Sequence, residues 1–241
     1  MKIFFNYADL NPKHIESQKC NAQIARQFNI FDEVYELNKN NIYINFYKQY
    51  LHILNQPRGA GFWLWKPYFI NEFLNQSNEN DIIIYADSSI RIDKDITPLF
   101  EILEETQGIL TFISSLGNEN LNPEKTYTKR DIFVKMGCED DYYYTGKYNC
   151  QFNGAFIIIK NNNFSKNFVK EWLELSCDEQ LLTDLPSNDK NYLEFKDNRH
   201  DQSILSLLSK KNNLYPYPDP TQWGNNYRGN SKVIQFLSHL R

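Results

Sequence analysis

Two carboxylates and a set of cations stand where chemistry is possible. Asp87 follows Ile82, Ile83 and Ile84, a β-branched apolar run of the kind that fills a strand covered on both faces. Ligands of α/β proteins gather beyond the C-terminal ends of such strands, so a carboxylate there can meet one. The alternative is an Asp that only caps a turn. Asp201 lies in Arg199-His200-Asp201-Gln202-Ser203, ahead of the apolar helical face Ile204, Leu205, Leu207 and Leu208. It is either an N-cap or a catalytic carboxylate. His200, taken alone, reads as structural or exposed rather than as a ligand.

The cations come in two groups. Arg58 and Lys66 flank Gly59-Ala60-Gly61, Trp63 and Trp65, just before a helix expected from Pro67 to Leu74. Glycine lets backbone approach a ligand closely, and a helix start attracts anions. The competing reading is a packed corner with both Trp in the core. Lys129 and Arg130 follow Thr128 in a Thr128/Asp131 capping-box pattern. They would occupy a first helical turn, where the dipole disfavours cations, and a diphosphate nearby would relieve that conflict. Two solvated surface charges are the bland alternative. The acidic, aromatic stretch Glu139 to Tyr148 reads as a loop suited to a sugar, since rings stack on C–H faces and carboxylates accept hydrogen bonds from hydroxyls, or as a wet surface loop.

The elements that must position these residues alternate. Lys2 to Asn6 reads as a strand, and Pro12 opens a helix to about Phe28. Asp32 to Leu37 reads as a strand and Ile42 to Leu54 as a helix. Ser88 to Ile92 reads as an edge strand, Pro98 to Glu104 as a helix and Gly108 to Ile113 as a buried strand. Ser114 to Tyr127 is expected to be a long loop. Phe156 to Lys160 reads as a strand, Phe164 to Leu175 as an amphipathic helix, and Tyr215 to Gly229 as an irregular wrapping segment. The alternation predicts an α/β fold, a single domain whose mixed, mostly parallel sheet is flanked by helices. A first strand followed by a helix is a nucleotide-binding start. Neither G-x-G-x-x-G nor a P-loop is present.

Composition narrows the class. The chain has 241 residues, 41% hydrophobic and 23% charged, with 16 Tyr and 17 Phe. That suits one large domain with a full core. A net charge of −4 offers no basic footprint for nucleic acid. The four cysteines form no C-x-x-C pair, so a zinc site is not expected and reduced thiols are the default. The apolar stretch in MKIFFNYADL is too short for a signal peptide, and no segment is long enough to span a bilayer. A cytoplasmic protein, at most peripheral to the inner face of the membrane, is expected.

RGAGFWLWKPY, DIIIYADSS, TKRD, QFNGAFIIIK and RHDQS together resemble small bacterial glycosyltransferases of the GT-A type, similar to proteins of capsule and lipopolysaccharide gene clusters. The W-x-W-K-P-Y and R-H-D-Q-S segments are the more specific part. The resemblance implies a GT-A fold, with residues 1–113 as the nucleotide half and 114–241 as the acceptor half. It implies transfer of a sugar from a nucleoside-diphosphate sugar to a hydroxyl of a glycan or lipid-linked glycan. By that resemblance Tyr7, Arg58, Trp65, Lys66, Asp87, Ser88, Ser89, Arg91, Lys129, Arg130 and His200 bind the donor. Asp201 acts as base or stabilises the sugar cation, and Gln151 and Asn153 contact the sugar. Asp87 takes the first place of an Asp-x-Asp motif and would be the metal ligand, with Mn²⁺ or Mg²⁺ as cofactor. The third place holds Ser89 instead of Asp, Asp93 and Asp95 lie further along, and the Lys and Arg set could partly replace a cation. Two rival readings are a nucleotide-dependent phospho-group transferase acting on polysaccharide and a non-catalytic glycan- or nucleotide-binding module.

Overall fold

The computed structural model describes residues 1–113, 122–222 and 236–239. Nine strands are present among them: β1 (Lys2–Tyr7), β2 (Glu33–Leu37), β3 (Ile82–Ala86), β4 (Ile90–Ile92), β5 (Ile109–Ile113), β6 (Phe152–Lys160), β7 (Tyr217–Pro218), β8 (Thr221–Gln222) and β9 (Leu237–His239). Six form the main sheet, in the order β2-β1-β3-β6-β5-β7. β1 pairs in parallel with both β2 and β3, and β7 in parallel with β5. Only β6 runs against its neighbours, lying between β3 and β5. The mostly parallel α/β sheet expected from the alternation is therefore the architecture observed.

Each face of the sheet is covered by helices, as a strand without polar positions requires. In β3 the side chains alternate. Ile83 and Tyr85 join Phe5, Tyr7, Ile157 and Ile159 beneath the helices Trp65–Gln76, Asn163–Ser176 and Asp201–Lys211. Ile82, Ile84 and Ala86 join Phe4, Phe156 and Ile158 on the other face, against Leu99, Phe100 and Leu103 of the helix Thr97–Glu104. Trp172 fills the centre of the first layer and is fully buried.

Several expectations change in detail. Ile42 to Leu54 is not one helix; it is split into Ile44–Gln49 and Leu51–Leu54 at Tyr50. The helix expected from Pro67 begins at Trp65, leaving Pro67 in the first turn, where its missing N–H has no partner to lose. Ser88 to Ile92 is not an edge strand of the main sheet. Ile90–Ile92 pairs with β9 in a separate three-stranded sheet, β4-β9-β8. The Thr128/Asp131 capping box does not form. The Thr128 hydroxyl donates to Glu124, and Asp131 accepts from the backbone N–H of Asn188 and the side chain of Gln180. Parts of two expected loops, residues 114–121 and 223–229, lie outside the described residues.

One buried network went unread in the sequence. Lys210 and Glu124 form an ion pair with neither side chain exposed. Lys210 also donates to the carbonyls of Tyr143 and Tyr148, and Glu124 accepts from Ser206. Burial is tolerable because nearly every donor and acceptor is matched. Removing only the cation strands a carboxylate in the core. Lys210→Met is expected to lose about 3–5 kcal/mol of unfolding free energy in urea titration, whereas Lys211→Met, at the half-exposed neighbouring position, loses under about 1 kcal/mol.

Candidate active site

The centre of the site is the ammonium of Lys66. Its helix begins at Trp65, so the side chain leaves the first turn and runs inward across the C-terminal edge of β3. Only about 4% of it is exposed. Nζ lies 2.8 Å from Oδ2 of Asp201 and donates to the Gly154 carbonyl at 2.9 Å. It is 4.0 Å from Oδ1 of Asp87 and 5.1 Å from the centre of the Tyr85 ring. A buried ammonium needs this much compensation.

Asp201 is buried, and burial pushes its carboxyl up to about 6. The Lys66 ammonium pulls in the opposite direction, and the Asp87 charge adds to the rise. At neutral pH the group is mostly ionised yet still basic enough to accept a proton. It is the first residue of the helix Asp201–Lys211, but its carboxylate faces Lys66, so the N-cap alternative is not what its side chain serves. Asp87 follows β3 and is about one-third exposed. It accepts from the Tyr85 hydroxyl, a fully buried phenol held well above its usual range by burial and by this carboxylate.

Gly154 and Gln202 lock the two halves of this arrangement. The Gly154 N–H donates to Oε1 of Gln202 at 3.1 Å while its carbonyl receives Lys66. A Cβ at Gly154 would stand 3.2 Å from the Gln202 side chain and 3.5 Å from Nζ of Lys66. A side chain at this point of β6 would therefore press on Gln202 by a few tenths of an ångström while only touching Lys66.

Two clefts open on either side of Asp87 and Trp63. One, of about 300 Å³, follows the end of β1 and is lined by Tyr7, Asp9, His14, Trp65, Ser88 and Ser89 among others. Its wall is a parallel stack of Tyr7 on Trp65, 3.9 Å between centroids. The other, of about 260 Å³, is lined by Lys66, Arg199, His200, Asp201 and Gln202 among others. Between them runs a left-handed turn in which Gly59, Ala60, Gly61, Phe62 and Trp63 all have positive φ. A Cβ at Gly59 would come within 2.3 Å of the Trp63 ring, and one at Gly61 within 2.7 Å of the Leu54 backbone. The three non-glycine residues cost on the order of 1–2 kcal/mol each, a strain that such sites often carry.

Of the residues singled out in the sequence, Tyr7, Trp65, Lys66, Asp87, Ser88, Ser89, His200 and Asp201 meet at these clefts. Arg58 lines the second cleft, but its charge is already matched by Asp184 at 3.0 Å and Asp197 at 2.5 Å. An anion site on Arg58 would have to displace both carboxylates. Arg91 pairs with Asp93 at 2.6 Å and lines neither cleft. Lys129 is buried and donates to the carbonyls of Gln180 and Thr183, and burial draws its ammonium down. Arg130 binds Glu139 and Tyr192. The dipole conflict at this helix start is thus met by protein partners. Gln151 is fully buried behind the cleft, donating to Tyr127, Thr128 and Ser203. Asn153 is held by Asp219 at 2.9 Å. Neither Gln151 nor Asn153 is among the residues lining the two clefts.

Three members of the site were missed. Tyr85 looked like plain strand, Gln202 was overshadowed by Asp201, and Arg199 was read only as part of a motif. Arg199 stacks on the Tyr127 ring at 4.2 Å, lines the second cleft, and makes no ion pair among the described residues. A hidden signal was the spacing of Asp201-Gln202 from the helical face, which places Gln202 beside the carboxylate.

Asp87 supplies one carboxylate, and a hard cation there would complete its six oxygens from water and substrate phosphates rather than from an all-protein cage. Asp93 is engaged by Arg91, and Asp95 accepts from the N–H and hydroxyl of Thr97. Among the described residues no three His, Cys, Asp or Glu side chains converge. The nearest charge to Asp87 is the Lys66 ammonium. Mn²⁺ or Mg²⁺ at Asp87 would therefore take most of its oxygen ligands from the donor phosphates and water.

The raised Asp201 carboxyl fixes a sign for pH dependence. A carboxyl whose folded value lies above its unfolded one stabilises the fold when protonated and loses that contribution as pH rises through the folded value. Stability is expected to fall by about 2 kcal/mol from this group between pH 4 and pH 7. Asp201→Asn removes that slope, read from urea unfolding across the range.

No protein-family model and no curated protein sequence matches the chain. Solved structures do. A glycosyltransferase involved in the glycosylation of the major capsid of PBCV-1 superposes with a TM-score of 0.51 at 11% identity, covering 99% of this chain and 92% of that one. The galactosyltransferase LgtC, solved with donor and acceptor sugar analogs, gives 0.51 at 15% identity, covering 100% and 87%. An active-site glutamine-to-glutamate mutant of LgtC gives 0.50 over the same shares. At these identities the likeness is one of architecture, and the chain has the GT-A-like fold of these glycosyltransferases.

Proposed function

We propose that the chain is a glycosyltransferase that moves a sugar from a nucleoside-diphosphate sugar to an acceptor hydroxyl. The observation that carries this reading is the Lys66 ammonium held between Asp201 and Asp87, where the two clefts meet. The nucleotide occupies the cleft beyond β1, against Tyr7 and Trp65, in the half formed by residues 1–113. The transferred sugar occupies the second cleft, beside Gln202. LgtC has a glutamine at its active site, and here Gln202 is the glutamine that lines the cleft.

The bond that breaks joins the anomeric carbon to the diphosphate, and its electron pair leaves with the diphosphate. Lys66 and Arg199 offset the charge that develops, in a site where burial strengthens such interactions. The acceptor oxygen forms the new bond to the anomeric carbon. Its proton passes to the Asp201 carboxylate, whose basicity burial has raised. Asp87, restrained by Tyr85, orients the donor ribose. The acceptor is a hydroxyl of a cell-surface glycan precursor of capsule or lipopolysaccharide type, a reading supported by the resemblance of the W-x-W-K-P-Y and R-H-D-Q-S segments. No helix among the described residues is long and apolar enough to cross a membrane. A lipid-linked acceptor would bring the protein to the cytoplasmic membrane face by peripheral contact.

A thermal-shift panel of UDP-, GDP-, CMP- and TDP-sugars tests donor binding. One donor at 100-fold its Kd should add about 2.7 kcal/mol to the folded state. No shift with any donor would overturn the reading. With the donor found, Asp201→Asn is expected to lower kcat by about 10²–10⁴-fold with donor KM little changed. The acidic limb of kcat/KM should lie near pH 6. Wild-type rates in Asp201→Asn would remove the base from this scheme.

A further inference from the structure

His200 takes no step in the transfer, yet its backbone is strained where the helix of Asp201 begins. Its φ and ψ are 54° and −121°, the first central position of a type II′ turn, which glycine dominates. The turn is closed by the Gln202 N–H donating to the Arg199 carbonyl at 3.0 Å. Asp201 is therefore the next residue of a turn that an ordinary side chain resists.

The ring of His200 explains why the turn persists. It is about 1% exposed and held on three sides. Nδ1 lies 2.7 Å from the Leu182 carbonyl, which assigns the proton to that nitrogen. Trp63 stacks on the ring at 5.3 Å and 23°, and Phe62 packs at 5.0 Å and 43°. Those two residues belong to the left-handed turn Gly59 to Trp63. Two strained segments thus brace each other across the cleft wall, and Arg58, beside the first, pairs with Asp197 just ahead of the second and with Asp184 just past Leu182. The charged groups around the ring are Arg58, Asp184 and Asp197, with Nε2 at 3.8 Å from Asp184. Burial keeps the imidazole below its ordinary value, so at neutral pH it is an uncharged wedge.

We propose that His200 is a positioning residue: its ring, wedged between Phe62 and Trp63, holds the strained peptide ahead of Asp201 and so fixes that carboxylate against Lys66. The Asp201 carbonyl is anchored separately by Trp172 at 3.0 Å, so the carboxylate end is what the wedge controls. Lys66 and Asp87 are the charges that face it. The proposal deepens the role given to Asp201 in the transfer but is tested without it.

The test follows the Asp201 carboxyl by ¹³C NMR titration, with the resonance assigned through Asp201→Asn. Wild type, His200→Ala, His200→Gly and His200→Phe are compared, each checked for folding by near-ultraviolet circular dichroism. Loss of the wedge loosens the ion pair, so the midpoint should rise by about half a pH unit or more in His200→Ala and His200→Gly. His200→Phe, which keeps the stack, should stay within about 0.2 unit of wild type. Glycine also relieves the positive φ, so His200→Gly should melt no lower than His200→Ala while showing the same displaced midpoint. An unmoved midpoint in a folded His200→Ala or His200→Gly, or an equal rise in His200→Phe, overturns the proposal. If Asp201→Asn transfers sugar at the wild-type rate, the base role fails while the midpoint comparison stands unaffected.

Discussion

A buried ammonium is the constraint around which the molecule is arranged. Lys66 cannot remain charged in the interior without close partners, and it reaches each partner across a different part of the chain. The Gly154 carbonyl fixes β6, the Asp201 carboxylate fixes the start of a helix, and Asp87 ties in the end of β3. Three elements are thus drawn to one point by the solvation demand of one side chain. Burial at this same point raises the Asp201 carboxyl, and the positive charge beside it offsets the rise only in part. Stability and reactivity at this point have one physical origin.

Much of the architecture was legible because the strands are strongly patterned. Ile82 to Ile84 suits a strand covered on both faces, and the helix containing Phe168, Val169 and Trp172 declares its buried side. Asp87, Lys66 and Asp201 stand out as candidates too, because each lies beside an element end, and the structure brings the three together. The failures share a cause. Lys129, Arg130 and Gln151 were assigned to ligands on the strength of local residue type, but their partners are protein groups far away in sequence. Periodicity carries no information on which buried polar group will meet which, so the Lys210–Glu124 network was equally invisible. The broken helix at Tyr50 and the left-handed turn at Gly59 to Trp63 were hidden because tertiary packing overrode propensity there.

The fate of Arg58 shows how sequence context misleads about electrostatics. A cation next to glycines suggests an anion site, yet two aspartates neutralise it. Lys66 is matched by Asp201, and Arg199, with its guanidinium resting on Tyr127, lines the second cleft. The charge a cleft can offer an anion is set by what the protein leaves unmatched, not by the number of Lys and Arg residues nearby.

The small sheet has a kinetic meaning. β4 follows directly after Asp87, and its partner β9 is supplied from Leu237–His239. Lys66 likewise finds Gly154 at a separation of 88 residues. Contacts between such distant segments form only after the entropy of closing a long loop has been overcome. The parallel strands β1, β2 and β3 can assemble from the first part of the chain, whereas the ground around Asp87 is completed only when the last strand arrives. The candidate site is therefore built almost wholly from contacts of long range in sequence, while much of the sheet beside it needs only the first part of the chain.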